Sequence, residues 1–308
     1  MVSKVILVAP RGFCAGVVRA VGAVEAALAR FGPPIYVRRA IVHNPYVVNR
    51  LASMGAIFVQ ELEEVPEGGH VVFSAHGVAR SVPLAARNRG LLAIDGTCPL
   101  VGKVHSEALR FLGNGYEVVL IGHAGHDEVV GTLGQAPGRI HLVGSAADVA
   151  SLPIAPGSRV AMVTQTTLSP DDVEPVVLAL KARFPDLAQP RTEDICFATR
   201  NRQAAVRWLA KNAEVVLVLG DQTSSNSHRL REVAAQVGAR AFLIGGISEL
   251  DETWLEGAST IGITAGASTP ESIVQAAAEH FRSRGAVVVE EIVQLEPTVF
   301  SLPGEVLR

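Results

Sequence analysis

The sequence predicts an α/β protein made of three small domains with parallel sheets, related by a pseudo-threefold axis. Short apolar runs rich in β-branched residues alternate with Ala-rich amphipathic stretches, a pattern typical of parallel sheets covered by helices on both faces. A strand–turn–cysteine–helix pattern also occurs three times, at Cys14, Cys98 and Cys196, with separations of 84 and 98 residues. Such a period is too long for a solenoid repeat and suits one α/β domain per cysteine.

The apolar runs predict strands, and the repeats predict domain boundaries. We expect domains at residues 1–96, 97–190 and 191–282, followed by a C-terminal tail at 283–308. Ligands of parallel α/β sheets bind at the carboxyl ends of strands, so the turns that follow the strands are the candidate sites. The predicted strands are Val5–Val8, Ile35–Val37, Val71–Phe73, Val118–Ile121, Val160–Val163, Val215–Leu219, Ala241–Ile244 and Ile261–Ile263.

Composition and charge exclude several classes of protein. Hydrophobic residues make up 48% of the chain and charged residues 19%, which indicates a compact protein with large buried sheets. The net charge of −3 argues against electrostatic binding of nucleic acid or of an anionic membrane. No apolar run reaches the roughly 18 residues of a membrane span. The N-terminal residues resemble neither a signal nor a transit peptide, and three widely spaced cysteines favour a reducing, cytoplasmic compartment.

The three cysteines are candidate metal ligands. Each is predicted to begin a helix, where the helix dipole stabilises the thiolate that binds metal. Taken singly, each would be interpreted as a small buried hydrophobe. The spacing lacks the paired cysteines of structural zinc sites and the close runs of ferredoxins. Three thiolates from three domains suit a four-iron cluster with one iron open to act as a Lewis acid.

Polar residues recur in the turns at fixed distances from each cysteine. One set lies 28 to 30 residues after it and a second set 62 to 72 residues after it. Together they offer many neutral hydrogen-bond donors without a basic cluster, and helix N-termini attract phosphate. The alternative is that the serines and Asn226 only cap a helix, and that Glu128 only complements a helix dipole. The sets are His43, Asn44, His126, Glu128, Ser224 and Asn226, then His76, Thr166 and Ser268.

Familiar nucleotide and hydrolase motifs are absent from the sequence. It contains no G-x-G-x-x-G fingerprint, no P-loop and no G-x-S-x-G elbow. Bound nucleotide and serine hydrolysis are therefore not supported. A radical-enzyme loop of the C-x-x-x-C-x-x-C type is also missing.

From about Lys4 to Phe281 the sequence resembles the 4-hydroxy-3-methylbut-2-enyl diphosphate reductase (LytB) family. The matching motifs are long and follow the family's order, and residues 300–303 give a further, weaker match. They are Pro10–Val17, Val42–Asn44, Ser74–Gly77, Ala93–Val101, Gly122–Glu128, Thr164–Ser169, Asp194–Cys196, Ser224–Ser227 and Thr264–Ser268.

The resemblance implies an iron–sulfur enzyme of the last step of the non-mevalonate isoprenoid pathway. Such an enzyme reduces an allylic alcohol diphosphate to isopentenyl and dimethylallyl diphosphates, with two electrons from a ferredoxin or flavodoxin. It implies that Cys14, Cys98 and Cys196 hold one central 4Fe–4S cluster with an open iron site. Glu128 is then the proton source, Thr166 relays the proton or orients the substrate hydroxyl, and His126 is a further catalytic residue. The diphosphate ligands are His43, His76, His126, Ser224, Ser225, Asn226 and Ser268.

Two other classes remain as alternatives to this interpretation. One is a different three-cysteine 4Fe–4S enzyme of the quinolinate synthase type, whose condensation needs no external electrons. The other is a cluster-containing sensor that binds nucleic acid or a protein, for which a basic face is expected. We expect a monomer or homodimer without nucleic-acid or membrane partners.

Overall fold

A computed structural model describes residues 2–307, and within them the chain forms twelve strands and ten helices. The strands are β1 (Lys4–Ala9), β2 (Ile35–Arg38), β3 (Ala56–Val59), β4 (His70–Phe73), β5 (Leu92–Asp95), β6 (Glu117–Ile121), β7 (Ile140–Val143), β8 (Val160–Thr164), β9 (Val215–Leu219), β10 (Arg240–Ile244), β11 (Thr260–Ala265) and β12 (Val287–Ile292). The helices are α1 (Ala15–Phe31), α2 (Pro45–Ser53), α3 (Ser81–Asn88), α4 (Pro99–Gly113), α5 (Asp127–Leu133), α6 (Pro170–Arg183), α7 (Phe197–Asn212), α8 (Ser225–Val237), α9 (Glu271–Arg282) and α10 (Gly304–Leu307). None of these helices is long and apolar enough to cross a membrane.

The strands form three sheets in which every pairing is parallel. Their orders are β10-β9-β11-β1-β12, β3-β2-β4-β5 and β7-β6-β8. The predicted α/β class with three parallel sheets is thus confirmed, and each of the eight predicted strands lies within an observed one. Strand β5 is the one implied by the strand–turn–cysteine pattern at Cys98, whereas β3, β7 and β12 were not among the predicted strands.

The chain divides into two compact units. One contains the described residues up to Val18, His43–Asn49 and Phe197–Val299, and it holds the five-stranded sheet. The other contains Arg19–Val42, Arg50–Cys196 and the described residues from Phe300 onwards, and it holds the two smaller sheets. Helices α1 and α2 each begin in the first unit and end in the second.

In the five-stranded sheet, both faces are buried. Val5 and Leu7 pack with residues of α9 on one face, while Ile6 and Val8 pack with α7 and α8 on the other. This alternation follows from the two-residue period of a strand. The strands end at one edge, and the turns after β9 and β11 carry Ser224 and Ser268 there.

The sheet β7-β6-β8 is built in the same way. Val119 and Ile121 pack against α6, whereas Val118 and Leu120 pack against α4 and α5. Helix α4 follows Cys98 and α5 carries Glu128, so this core fixes the ends of two site-bearing helices.

Sheet membership differs from the predicted domain limits at two places. Strand β1 pairs with β11 and β12, so it joins the sheet of the third repeat instead of that of residues 35–95. Residues Val5 to Val8 are at most 4% exposed, and a strand that is apolar on both faces needs a central position. Strand β12 lies within the predicted tail. The limits at 96, 190 and 282 stay a prediction as domain boundaries.

The third cysteine also departs from the predicted pattern of strand, turn and cysteine. No regular strand precedes Cys196 among the described residues, because only an isolated parallel bridge forms, between Ala161 and Ala188. Pro190 follows two residues later, and proline lacks the N–H that would extend the ladder. The loop then runs without regular structure to the start of α7.

Candidate functional site

The three cysteines have the same local backbone surroundings. Each immediately precedes a helix: α1, α4 and α7. The backbone N–H of Cys14 donates to the carbonyl of Ala267 at 3.1 Å. The N–H of Cys98 donates to Ala75 at 2.9 Å, and that of Cys196 to Thr166 at 3.1 Å. All three thiols are half-buried.

The three acceptor residues share one position in the repeat. Ala267, Ala75 and Thr166 each lie two residues after a strand end, of β11, β4 and β8 respectively. Spacing from the cysteines predicted that Thr166 occupies the same position in its repeat as His76 and Ser268. Those two residues lie three residues after the ends of their strands. Hydrogen bonding shifts that alignment by one residue, and Thr167 becomes the equivalent of His76 and Ser268. The Thr167 hydroxyl accepts from Nε2 of Gln165 at 2.9 Å.

In the second unit, Glu128 is a buried carboxyl group, only 2% exposed. It accepts hydrogen bonds from the Thr166 backbone N–H at 2.7 Å and from the Thr166 hydroxyl at 2.9 Å. Burial raises the pKa of Glu128 to about 7, opposed by the two bonds from Thr166 and reinforced by the negative charge of Asp194. The carboxyl group therefore binds a proton near neutral pH.

His126 caps the helix that carries Glu128. Its Nδ1 accepts the backbone N–H of Glu128 at 3.1 Å, so Nε2 carries the proton when the ring is neutral. The rings of His126 and His76 lie 5.7 Å apart and nearly perpendicular. Asp127, between His126 and Glu128, pairs with Arg39. Two turns of the second unit, after β4 and after β6, thus bring two imidazoles together, and the carboxyl group of Glu128 directly follows the second of them.

In the first unit, the residues 224–227 begin α8. The Ser224 hydroxyl accepts from the backbone N–H of Ser227 at 3.3 Å and from its hydroxyl at 3.0 Å, so Ser224 is the N-cap as well as a candidate ligand. Ser225 is the first helical residue. Asn226 is 4% exposed, and neither its amide nitrogen nor its amide oxygen has a hydrogen-bond partner within residues 2–307. Because an unpaired buried amide is costly, it indicates a missing ligand.

The turn after β11 lies next to this helix start. A Cβ atom on Gly266 would lie 2.0 Å from the Ser227 hydroxyl, so only glycine allows the approach. Two residues later, the Ser268 hydroxyl donates to the carbonyl of His43 at 2.9 Å. Asn44 has a structural task, since its side-chain oxygen accepts the N–H groups of Tyr46 and Val47 at the start of α2.

The structure thus defines a class of protein: an α/β enzyme with three thiols at helix starts, and with neutral hydrogen-bond donors and a proton-binding carboxyl group in or directly after the turns that follow strands. Within the first unit lie Cys14, His43, Ser224, Ser225, Asn226 and Ser268. Within the second lie Cys98, Cys196, His76, His126, Glu128 and Thr166.

Comparison with known proteins identifies the family. The family described as LytB protein matches residues 5–282. A 4-hydroxy-3-methylbut-2-enyl diphosphate reductase of Zymomonas mobilis is 53% identical over 97% of this chain and 88% of that protein. The one of Bordetella pertussis is 54% identical over 99% and 94%. The chain belongs to the LytB family.

Two solved structures with similar folds support the same family. That of the E-1-hydroxy-2-methyl-but-2-enyl-4-diphosphate reductase from Plasmodium falciparum superposes with a TM-score of 0.96 at 35% identity, covering 100% of this chain and 98% of the other. A second, of (E)-4-hydroxy-3-methyl-but-2-enyl diphosphate reductase, the terminal enzyme of the non-mevalonate pathway, gives a TM-score of 0.67 at 33% identity, covering 91% and 99%. The family comprises iron–sulfur enzymes, and membership favours the reductase over the quinolinate synthase type and the sensor.

Proposed function

We propose that this chain reduces 4-hydroxy-3-methylbut-2-enyl diphosphate to isopentenyl and dimethylallyl diphosphates, at the end of the non-mevalonate pathway. One local observation carries the proposal. The N–H of Cys196 binds the carbonyl of Thr166, and Thr166 in turn binds the buried carboxyl group of Glu128. A proton donor is thereby linked through a single residue to a cysteine that suits a metal cluster.

The cysteines fit an iron–sulfur cluster by their chemistry. They are half-buried thiols that immediately precede helices, and a metal cluster binds cysteine through its sulfur as the thiolate. Cys14, Cys98 and Cys196 would hold one 4Fe–4S cluster and leave one iron without a protein ligand. When bound, such a cluster supplies electrons and a Lewis-acidic iron.

Glu128 supplies the proton that the leaving group needs. With a pKa of about 7, a large fraction of this group is protonated at neutral pH. The carbon–oxygen bond of the substrate breaks, two electrons arrive from the external donor, and the Glu128 proton converts the departing hydroxyl to water. A second proton then adds to either of two allylic carbons, which accounts for two products. Thr166 holds the carboxyl group by its N–H and hydroxyl.

Neutral donors bind the diphosphate. The Nδ1 atom of His126 accepts the backbone N–H of Glu128, so the neutral ring carries its proton on Nε2 and can donate it. The buried amide of Asn226 has no hydrogen-bond partner among the described residues, so a phosphate oxygen can satisfy it. These interactions satisfy phosphate oxygens without a basic cluster. The proposed ligands are His43, His76, His126, Ser224, Ser225, Asn226 and Ser268.

The electron donor, the compartment, the oligomeric state and the domain limits complete the proposal. A ferredoxin or flavodoxin would deliver the electrons, the enzyme would work in the cytoplasm as a monomer or homodimer, and its repeats would divide the chain at 96, 190 and 282.

Anaerobic reconstitution tests the proposal. We expect Mössbauer spectra of a four-iron cluster with one distinct iron, and conversion of the allylic diphosphate to both products with a chemical reductant. Product formation without reductant, or a protein that binds no cluster, would contradict it.

A further inference from the structure

A basic residue follows each cysteine at nearly the same distance, on the helix that the cysteine precedes. Arg19 comes five residues after Cys14 and Lys103 five residues after Cys98. Arg202 comes six residues after Cys196. None of the three belongs to the proposed substrate or proton machinery.

Arg19 binds the loop that leads to Cys98. Its guanidinium donates to the carbonyl of Asp95 at 3.1 Å and to that of Thr97 at 2.8 Å. Thr97 is the residue immediately before the cysteine. A third bond, at 3.0 Å, reaches the carbonyl of Ser301 in the C-terminal segment.

Lys103 binds the loop that leads to Cys196. Its ammonium group donates to the carbonyls of Thr192 and Glu193 and pairs with the carboxylate of Asp194 at 2.8 Å. The Asp194 side chain is fully buried and also accepts the N–H of Thr164 at the end of β8. This loop has no regular secondary structure, and the lysine contacts three consecutive residues of it.

Arg202 binds the loop that leads to Cys14, from a side chain only 1% exposed. It donates to the carbonyl of Gly12 at 3.1 and 2.8 Å and to that of Phe13 at 3.3 Å. Glu296 neutralises it at 2.9 Å. Gly12 has a φ of +64°, so its carbonyl points to the guanidinium through a backbone conformation that favours glycine.

The contacts close a cycle in the sequence. The helix after Cys14 binds the loop before Cys98, the helix after Cys98 binds the loop before Cys196, and the helix after Cys196 binds the loop before Cys14. We propose that Arg19, Lys103 and Arg202 are positioning residues that fix the three cysteine loops so that the thiolates can receive one cluster. This inference rests on the proposed function, since it assumes that the cysteines are the ligands.

The physical reason is that ligand orientation must be set before the metal arrives. Groups that orient metal ligands without touching the metal commonly change metal affinity 10- to 100-fold. The other hydrogen bonds of these loops include the N–H bonds of the cysteines and a few backbone contacts, such as Gly12 N–H to Ala265 and Thr164 N–H to Asp194. A cation is suited to this task because it binds several carbonyls at once.

The test replaces each cation by a neutral residue in the full-length protein, as Arg19→Gln, Lys103→Gln and Arg202→Gln. Matched controls are Arg30→Gln, Arg110→Gln and Lys211→Gln, exposed cations on the same three helices. Reconstituted protein is challenged anaerobically with a ferrous chelator. We expect each neutral variant to lose iron about tenfold faster than its control.

A second measurement needs no cluster. Hydrogen–deuterium exchange of the cluster-free protein should increase in one loop per variant: residues 95–98 for Arg19→Gln, 192–196 for Lys103→Gln, and 12–14 for Arg202→Gln. Exchange that is unchanged, or raised uniformly over the chain, would overturn the proposal. Should Arg202→Gln fail to fold, Arg202→Lys decides instead: it keeps the charge with fewer donors, and faster exchange confined to residues 12–14 is expected.

The two arms separate this inference from the proposed function. If wild-type protein binds no cluster, the proposed function fails while the exchange measurement still tests the loop contacts. If the cluster forms and leaves the variants at the control rate, the positioning role is wrong and the reductase assignment stands.

Discussion

Thr166 gives both of its hydrogen-bond donors to one carboxylate, that of Glu128, from the backbone N–H at 2.7 Å and from the hydroxyl at 2.9 Å. The carbonyl of the same threonine accepts the N–H of Cys196. The orientation of the acid and the start of the Cys196 helix therefore depend on one residue. Burial alone would favour the protonated acid, whereas both bonds from Thr166 favour the carboxylate, and the resulting pKa of about 7 suits proton donation at neutral pH.

Replacing Glu128 by glutamine should reduce turnover while leaving substrate binding and the cluster intact. Glutamine has the same size but carries no transferable proton, and loss of a general acid typically slows a step by about 10² to 10⁴-fold. Single-turnover reduction with a chemical reductant and saturating substrate measures the effect. Glu117→Gln, an exposed carboxyl group on β6, is the control. A rate within about threefold of wild type would remove Glu128 from the mechanism.

The rate should depend on pH through the same group. Since the protonated form of Glu128 is the donor, and its pKa is about 7, turnover should be highest below pH 7 and fall as the pH rises above it. The Glu128→Gln variant should lose this limb of the profile. Measurement of kcat from pH 6 to pH 9, with a reductant whose potential is held constant, checks the expectation; a wild-type profile that is flat across this range would contradict it.

The free energy of unfolding should also depend on pH through Glu128. It should fall as the pH rises, whereas a salt-bridged carboxylate makes it rise. The folded pKa of Glu128, about 7, lies above the ordinary 4.5, so the folded protein binds the proton more tightly, and the contribution is lost as the pH rises from 4.5 through 7. The loss is roughly 3 kcal/mol at most. Desolvation lowers the pKa of the half-buried His105 to about 4, so its contribution to stability changes with pH in the opposite direction.

Comparison of variants isolates the Glu128 contribution. Chemical denaturation at pH 5 and pH 7.5 gives the change in the free energy of unfolding for wild type and for Glu128→Gln. Because His105 is present in both proteins, its effect cancels in the difference. We expect the wild type to lose more stability than the variant over this interval, and equal losses would show that the carboxyl group is not perturbed by burial.

Loss of Asn226 should weaken diphosphate binding without affecting the cluster. Its buried amide has no partner among the described residues, so a bound phosphate would satisfy it. A hydrogen bond to a charged group contributes about 1.5–3 kcal/mol, which predicts roughly 10- to 100-fold weaker binding for Asn226→Ala. His43→Ala should act in the same direction. Asn212→Ala, at the exposed end of α7, serves as the control, and an unchanged affinity in both site variants would count against the predicted ligand set.

Replacement of any one cysteine by serine should largely abolish cluster retention. Serine is a poor ligand for iron at neutral pH because its hydroxyl stays protonated, whereas a cysteine binds iron through its sulfur as the thiolate. Iron and sulfide per chain after anaerobic reconstitution are the measurement for Cys14→Ser, Cys98→Ser and Cys196→Ser. Ser106→Ala, on α4, controls for handling losses. Full iron content in any cysteine variant would exclude that cysteine as a ligand.

Much of the architecture was predictable from local patterns. Continuous apolar runs identified eight strands, because a strand buried on both faces has few polar residues. The edge strand β12 escaped because its residues are half-buried or exposed and include Glu290 and Glu291. The alignment of Thr166 with His76 was one residue out, since spacing along the chain does not reveal which carbonyl each cysteine N–H reaches.

The sequence by itself determined the α/β class, the threefold repeat of cysteines and the types of residue at the strand ends, because these depend on short-range periodicity and motif order. Only the tertiary structure decided that β1 belongs with β9 to β12, that Glu128 is buried against Thr166 with its pKa raised, and that Arg19, Lys103 and Arg202 bind the loops before the cysteines. These features depend on contacts between residues 38 to 283 positions apart in the chain. Pairing, burial and pKa at such separations are set by the folded packing, which no local pattern encodes.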